Sequence, residues 1–293
     1  MNFAVCRAMA TLSLCSLSAS SFAEISLGSD LWSHLGVTGI LQGGGRGHVA
    51  DSSAVDSNPA GLAMQRSYTV SGDLGWMGAK GYQAEAAACD STTSELAACI
   101  KFRQTQRVTG ARDRRYSLGL AEAFEPLWGI IIGLGVDYVE FSSDRQTFAI
   151  PAGSKKSGQR VRLGVLHSIA EGIFVGATSE GLYDSTDTES RHGVGVSARI
   201  GKYYLMSGDL DFSDETLKKV AFGLTVFPQE FLDLALSYGY DPRQPKGKFG
   251  FGAVVKSQQA RLIYSLVQSE SGSKKWRQAA GIGIFMVGET VSR

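Results

Sequence analysis

Apolar and polar residues alternate along most of this chain with a period of two. Phe231–Asp241 reads FLDLALSYGYD: Leu232, Leu234, Leu236, Tyr238 and Tyr240 fall on one side, Asp233, Ala235, Ser237 and Gly239 on the other. Successive side chains of a strand point to opposite faces, so the period predicts a strand and excludes an amphipathic helix. The same split recurs. Gly129–Phe141 places Ile130, Ile132, Leu134, Val136 and Tyr138 opposite Gly133, Gly135 and Asp137, with Ile131 breaking the pattern. His192–Ile200 sets Val194, Val196, Ala198 and Ile200 against Gly195, Ser197 and Arg199. Val220–Val226 sets Val220, Phe222, Leu224 and Val226 against Ala221, Gly223 and Thr225.

Further strands are predicted at Tyr68–Trp76, Arg115–Ala121, Arg160–His167, Ile173–Glu180, Tyr203–Phe212, Lys248–Lys256, Ala260–Val267 and Ala279–Met286. Tyr82–Ala87 and Ile100–Thr105 carry weaker alternation. The total is about fourteen strands, or about twelve if the Cys89–Cys99 region is a loop; either is even, as in bacterial outer-membrane barrels.

The polar face chooses the architecture. It is rich in Gly, Ser and Thr, and it carries Asp73, Asp137, Arg160, Arg162, Glu180, Arg199, Asp233 and Arg261. A soluble sandwich would turn its aliphatic face inward and cover its outer faces with Lys and Glu. An outer-membrane barrel inverts this: aliphatic residues meet lipid, and small or charged residues line a lumen. Aromatics at strand ends, among them Tyr68, Trp76, Phe141, Tyr183 and Trp276, suit an interfacial girdle. The fold class expected is all-β, a transmembrane antiparallel β-barrel. Tight links at 170–171, 201–202, 228–229 and 257–258 alternate with mostly longer polar ones, as short periplasmic turns and longer outer loops do. The link from Trp76 to Lys80 is too tight for that scheme.

Residues 1–23 read as a secretory signal: Arg7, an apolar centre from Ala8 to Leu17, and the small-x-small site Ser21-Phe22-Ala23. Leu14 before Cys15 and Val5 before Cys6 argue against lipidation. Beyond Ala23 the longest apolar run, Trp128–Val136, falls well short of the roughly 20 residues of a transmembrane helix. The address is therefore the bacterial outer membrane, with its lipid as a partner. In an exported chain Cys89 and Cys99 are expected to form one disulfide closing a short loop. No His lies near them, so a metal site is not expected there.

Composition adds two points. Lys+Arg (29) and Asp+Glu (28) nearly cancel, which excludes a nucleic-acid binder that relies on bulk charge. Glycine stands at 36 against 6 Pro, without a three-residue repeat, which excludes collagen and favours strands with close backbone approaches.

The segment 24–65 precedes the barrel, 66–293, and lacks alternation. Its Gly43-Gly44-Gly45 run is no phosphate loop, because no Lys-Ser/Thr follows it. Gly43–Met64, GGGRGHVADSSAVDSNPAGLAM, resembles the N-terminal signature of outer-membrane long-chain fatty-acid transporters and is similar to that of related barrels of the PorV type. The matching positions include Gly45, Arg46, Gly47, Ala50, Asp51, Asn58, Pro59, Ala60, Gly61 and Leu62. The resemblance implies an N-terminal plug inside the barrel, gating passive diffusion of a hydrophobic, fatty-acid-like ligand, with no cofactor and no catalysis. It implies sideways exit of ligand through the wall.

The residues add their own chemistry. Pro59 disfavours helix at Asn58, whose side chain can hold a local turn. Ala60 and Gly61 allow close packing, and Arg46 and Asp51 are placed to pair with luminal charges. Leu31, Trp32, Leu35, Val37, Ile40 and Leu41 are candidates for an apolar pocket or for plug core. Each plug residue either contacts ligand or only folds the plug; the sequence leaves both open. The chain is short for such a transporter and continues past Phe285 to Arg293.

Two other classes remain. A PorV-like barrel would anchor or shuttle exported proteins, with a plug but no apolar pocket. An enzyme would need a nucleophile or metal set on one rim, and His34, His48, His167 and His192 are scattered without such a motif.

Overall fold

The fourteen alternating segments become fourteen strands because each can present one face to apolar surroundings and one to a packed interior. The computed structural model describes residues 46–47, 52–64, 67–76, 81–107, 112–124, 129–142, 155–184, 190–213, 216–242, 244–257, 260–268 and 276–287. The expected signal, 1–23, and the candidates Leu31, Trp32, Leu35, Val37, Ile40, Leu41 and Asp51 lie outside these residues, as do His34, His48 and the tight link 77–80. The strands are β1 (Tyr68–Trp76), β2 (Gly81–Asp90), β3 (Ala97–Arg107), β4 (Arg112–Phe124), β5 (Ile130–Ser142), β6 (Lys155–Ala170), β7 (Ile173–Asp184), β8 (Arg191–Ile200), β9 (Tyr204–Ser213), β10 (Thr216–Gln229), β11 (Leu232–Asp241), β12 (Gln244–Lys256), β13 (Ala260–Gln268) and β14 (Trp276–Val287).

Each strand pairs antiparallel with its sequence neighbours, and β1 closes on β14 from Thr69↔Val287 to Trp76↔Ala280. Closure leaves no free edge, so every ladder position has a partner strand, as a membrane interior demands. The doubtful pair, β2 and β3, is a full hairpin with Cys89 directly opposite Cys99. The two are joined by a disulfide, as expected, behind the 91–96 turn.

The faces divide as the alternation requires. Ile100, Leu134, Leu163, Val194, Val196, Phe222, Leu236, Ile282 and Ile284 point outward and are exposed. Such side chains each gain about 1.5–3 kcal/mol on leaving water, which lipid supplies here. Arg162, Asp137, Gln83, Lys101 and Arg103 point inward and are buried. Several strands outrun their expected ends. β6 begins at Lys155, ahead of its expected start at Arg160, because Lys155–Arg160 is polar on both faces and carries no apolar signal while its pairing with β5 continues.

Candidate functional site

The described part of the pre-barrel segment sits against the inner wall. One α-helical turn, α1 (Ala54–Ser57), leads through Asn58 into a 3-10 turn at Pro59–Ala63. Asn58 has an extended backbone (φ −150°, ψ 101°), as a residue before proline should. Its Oδ1 accepts from the Ala60 amide at 3.2 Å and so caps the 3-10 turn. Its Nδ2 donates to the Arg46 carbonyl at 2.8 Å and to the Val165 carbonyl on β6 at 3.1 Å. One side chain therefore ties the turn, the earlier stretch of the segment and the wall together. Pro59 fills the first position of the 3-10 turn, where its missing N–H costs nothing.

Wall glycines let the backbones meet. A Cβ at Gly133 would land on Pro59 and Ala60 backbone atoms, and one at Gly164 on the Asn58 amide. Below them Ala54, Val55 and Leu62 form an apolar cluster with Ala87, Cys89, Ala97, Cys99 and Ala121. The disulfide is thus part of the pad on which the segment rests. Ile131, the residue that broke the alternation of β5, faces inward and packs on this cluster.

Charge fixes the rest. Asp56, on α1 and buried, receives Lys101 Nζ at 2.7 Å, an ion pair from Arg103, and Arg115 at 3.7 Å. Burial alone would push the Asp56 carboxyl up, but Arg103, Lys101 and Arg115 hold it far below the usual carboxylate range. Glu85 shares Lys101 and Arg103 at 3.3 and 2.5 Å. Arg162 reaches Asp137 at 3.1 Å and Glu180 at 2.9 Å, and it donates to the Val55 carbonyl.

On the other flank Arg46 lies 3.3 Å from Asp209 and 2.5 Å from Asp211, and its Nε donates to Thr178 at 2.7 Å. Burial opposes the Arg46 charge, but Asp211 and Asp209 more than offset it, and its pKa is raised. Ser197 donates to the Gly47 carbonyl at 2.9 Å. The wall is therefore basic where the segment brings its acid, and acidic where the segment brings its base. Without Asp56, the inward-facing ion pairs of β2–β7 include five bases (Lys101, Arg103, Arg115, Arg160, Arg162) against three acids (Glu85, Asp137, Glu180), among the described residues.

Of the expected site residues, Arg46, Asn58, Pro59 and Ala60 meet on this surface, and Arg46 pairs with wall acids. Asp56 was missed in the sequence, although it lies two residues before Asn58. Its signal was there: Lys101, Arg103 and Arg115 share the inward register of β3 and β4. His167 and His192 follow the outward register. The His192 ring nitrogen lies 2.9 Å from Ser179 Oγ, with no carboxylate partner among the described residues. No group of three or more metal-ligating side chains occurs among the described residues.

No family model and no curated protein matches the sequence. Solved structures do match in fold. A deltaS2 mutant of the TodX monoaromatic hydrocarbon channel superposes with a TM-score of 0.61 at 11% identity, over 87% of this chain and 98% of that one. The Pseudomonas putida toluene transporter TodX gives 0.57 at 11% identity, over 84% and 95%. A Pseudomonas aeruginosa FadL homologue gives 0.55 at 10% identity, over 83% and 96%. At these identities the likeness is one of fold.

Proposed function

We propose that this chain is a passive channel of the bacterial outer membrane for hydrophobic small molecules, with residues 24–65 acting as a plug that gates it. The observation that carries the reading is the seat of residues 46–47 and 52–64 inside a closed barrel, held by ion pairs of both polarities. Buried ion pairs add little net stability, because desolvation offsets much of their attraction, yet removing one partner is costly. Such contacts suit a segment that is held in one register and released as a unit. The names of the fold neighbours support the class of cargo: a monoaromatic hydrocarbon channel, a toluene transporter and a FadL homologue.

The physics supports the need. An apolar solute meets a polar saccharide layer at the outer leaflet, and a protein interior that shields it removes that barrier. Residues 1–23 would direct export and 66–293 form the barrel. Arg46, Asn58, Pro59 and Ala60, with Asp56, hold the plug. Leu31, Trp32, Leu35 and Ile40 are the proposed apolar contacts for ligand, and Asp51 a further plug contact. The expected result of deleting 24–65 is faster solute flux into reconstituted liposomes than with the full chain. Unchanged flux contradicts the gate.

A further inference from the structure

The outward face of β3, β4 and β5 carries a polar array above an aromatic row. Phe102, Tyr116 and Tyr138 lie side by side in register, with ring centroids 5.1 and 6.2 Å apart. Two residues further along the strands come Gln104, Arg114 and Glu140, and two further again Gln106 and Arg112. This end of the barrel carries the longer connections, such as 143–154, while turns such as 171–172 and 201–203 mark the other. It is therefore the external rim. Aromatics at that depth mark the membrane–water interface, so the arginines above them sit at headgroup level.

The two guanidinium groups are positioned mainly by amides. Arg112 Nε donates to Gln106 Oε1 at 2.9 Å, and Arg114 Nε donates to Gln104 Oε1 at 3.2 Å. Gln104 Nε2 in turn donates to the Tyr82 hydroxyl at 3.4 Å. A neutral amide orients a guanidinium without cancelling its charge. Glu140 approaches Arg114 only at 3.9 Å, with both side chains more than a third exposed. Arg112 has no carboxylate partner among the described residues, so its terminal nitrogens keep their donors for an outside acceptor. Planar, oriented guanidinium groups, Arg112 without a carboxylate partner among the described residues and Arg114 with only a distant, exposed one, match phosphate oxygens.

We infer that Arg112 and Arg114 form a binding site for the phosphate of a phosphorylated glycolipid of the outer leaflet, with the Phe102–Tyr116–Tyr138 row packing on its acyl chains. The inference rests on the outer-membrane placement proposed above and on nothing in the lumen. The site gives the barrel a fixed lipid neighbour on one flank, β3–β5.

The test uses the full chain in detergent micelles, titrated with bis-phosphorylated lipid A, with the same lipid stripped of phosphate, and with inorganic phosphate. Binding of the phosphorylated lipid is expected to weaken about tenfold or more in the Arg112→Gln/Arg114→Gln double variant, and as much when the phosphates are removed. Inorganic phosphate is expected to bind far more weakly than the lipid. Equal binding by the double variant, equal binding of the stripped lipid, or inorganic phosphate binding as tightly as the lipid each overturns the site. Retained heat-modifiable gel mobility certifies that the variant is folded, and Arg112→Lys should recover part of the binding. The readout is independent of solute flux, so loss of this site and loss of the transport reading are distinguishable.

Discussion

Asn58 concentrates more of the seat than any neighbour, because its amide donates to two carbonyls while its oxygen caps a turn. Asn58→Asp keeps the shape and the cap but removes both donated hydrogen bonds and sets a carboxylate against two carbonyl oxygens. A buried acceptor left unsatisfied costs about 1–3 kcal/mol. Asn58→Asp is therefore expected to raise proteolysis of residues 46–64 in the folded barrel more than Asn58→Ala does. Equal protection in Asn58→Asp and the parent would contradict this role. Gly133→Val should act similarly from the wall side, since overpacking against Pro59 and Ala60 costs about 1–3 kcal/mol or more. The turn at Asn58-Pro59 was legible in the sequence because the chemistry is local. Asp56 was not, because its meaning comes from three bases more than forty residues away. Ile131 read as a flaw in the alternation and proves to be an inward contact for the segment.

The short helical turn and its strands behave as two complementary charge patterns. Asp56→Asn would leave Lys101, Arg103 and Arg115 buried with too little negative charge, an effect of about 3–5 kcal/mol for a broken buried pair. The expected readout is release of the segment and higher flux of polar solutes, with barrel mobility on gels unchanged. The pH dependence has a definite sign. The Asp56 pKa is depressed below its ordinary value of 3.8, so its contribution is present above that value and fades only as pH falls through the lower, folded value. Protection of 46–64 through Asp56 should therefore be flat between about pH 5 and pH 8. Release within that window would point to another titrating group.

The β2–β3 hairpin joins this unit through its disulfide, which closes a separation of 10 residues. A loop of that size contributes about 3 kcal/mol in the chain-entropy account. The Cys89→Ala/Cys99→Ala variant should keep a folded, heat-modifiable barrel, because twelve other strands and full pairing remain, but should expose 52–64 to protease. An unfolded barrel would show that the bridge holds the wall itself. β2 was among the weakest strands in the sequence because its outward face is alanine at Ala84, Ala86 and Ala88, which blurs a contrast that Leu or Ile would make plain, and β3 because its outward face turns polar after Phe102, at Gln104 and Gln106. The starts of β6 and β4 were missed for a related reason. Beyond the lipid both faces are polar, so pairing continues where hydropathy is silent.

Closure of the whole barrel depends on a seam between the first and last strands. Arg261 on β13 reaches Asp73 on β1 at 3.0 and 2.5 Å, across Gly283 of β14. A Cβ at Gly283 would strike both side chains, so the small residue there keeps the clasp flat. The even strand count, the inverted faces and the single antiparallel circuit were all legible, since lipid on one side and a packed interior on the other impose the alternation directly. A surface for cargo has no such local signature, because a lumen is shaped by residues brought together from the entire circuit, and the sequence pointed to one only through the family resemblance. The direct test is a high-resolution map of the full chain purified in detergent and incubated with a long-chain fatty acid. Elongated apolar density inside the barrel, in contact with the pre-barrel segment, is the expected result. A continuous column of ordered water from rim to rim, with no apolar cavity, would contradict a channel for hydrophobic molecules.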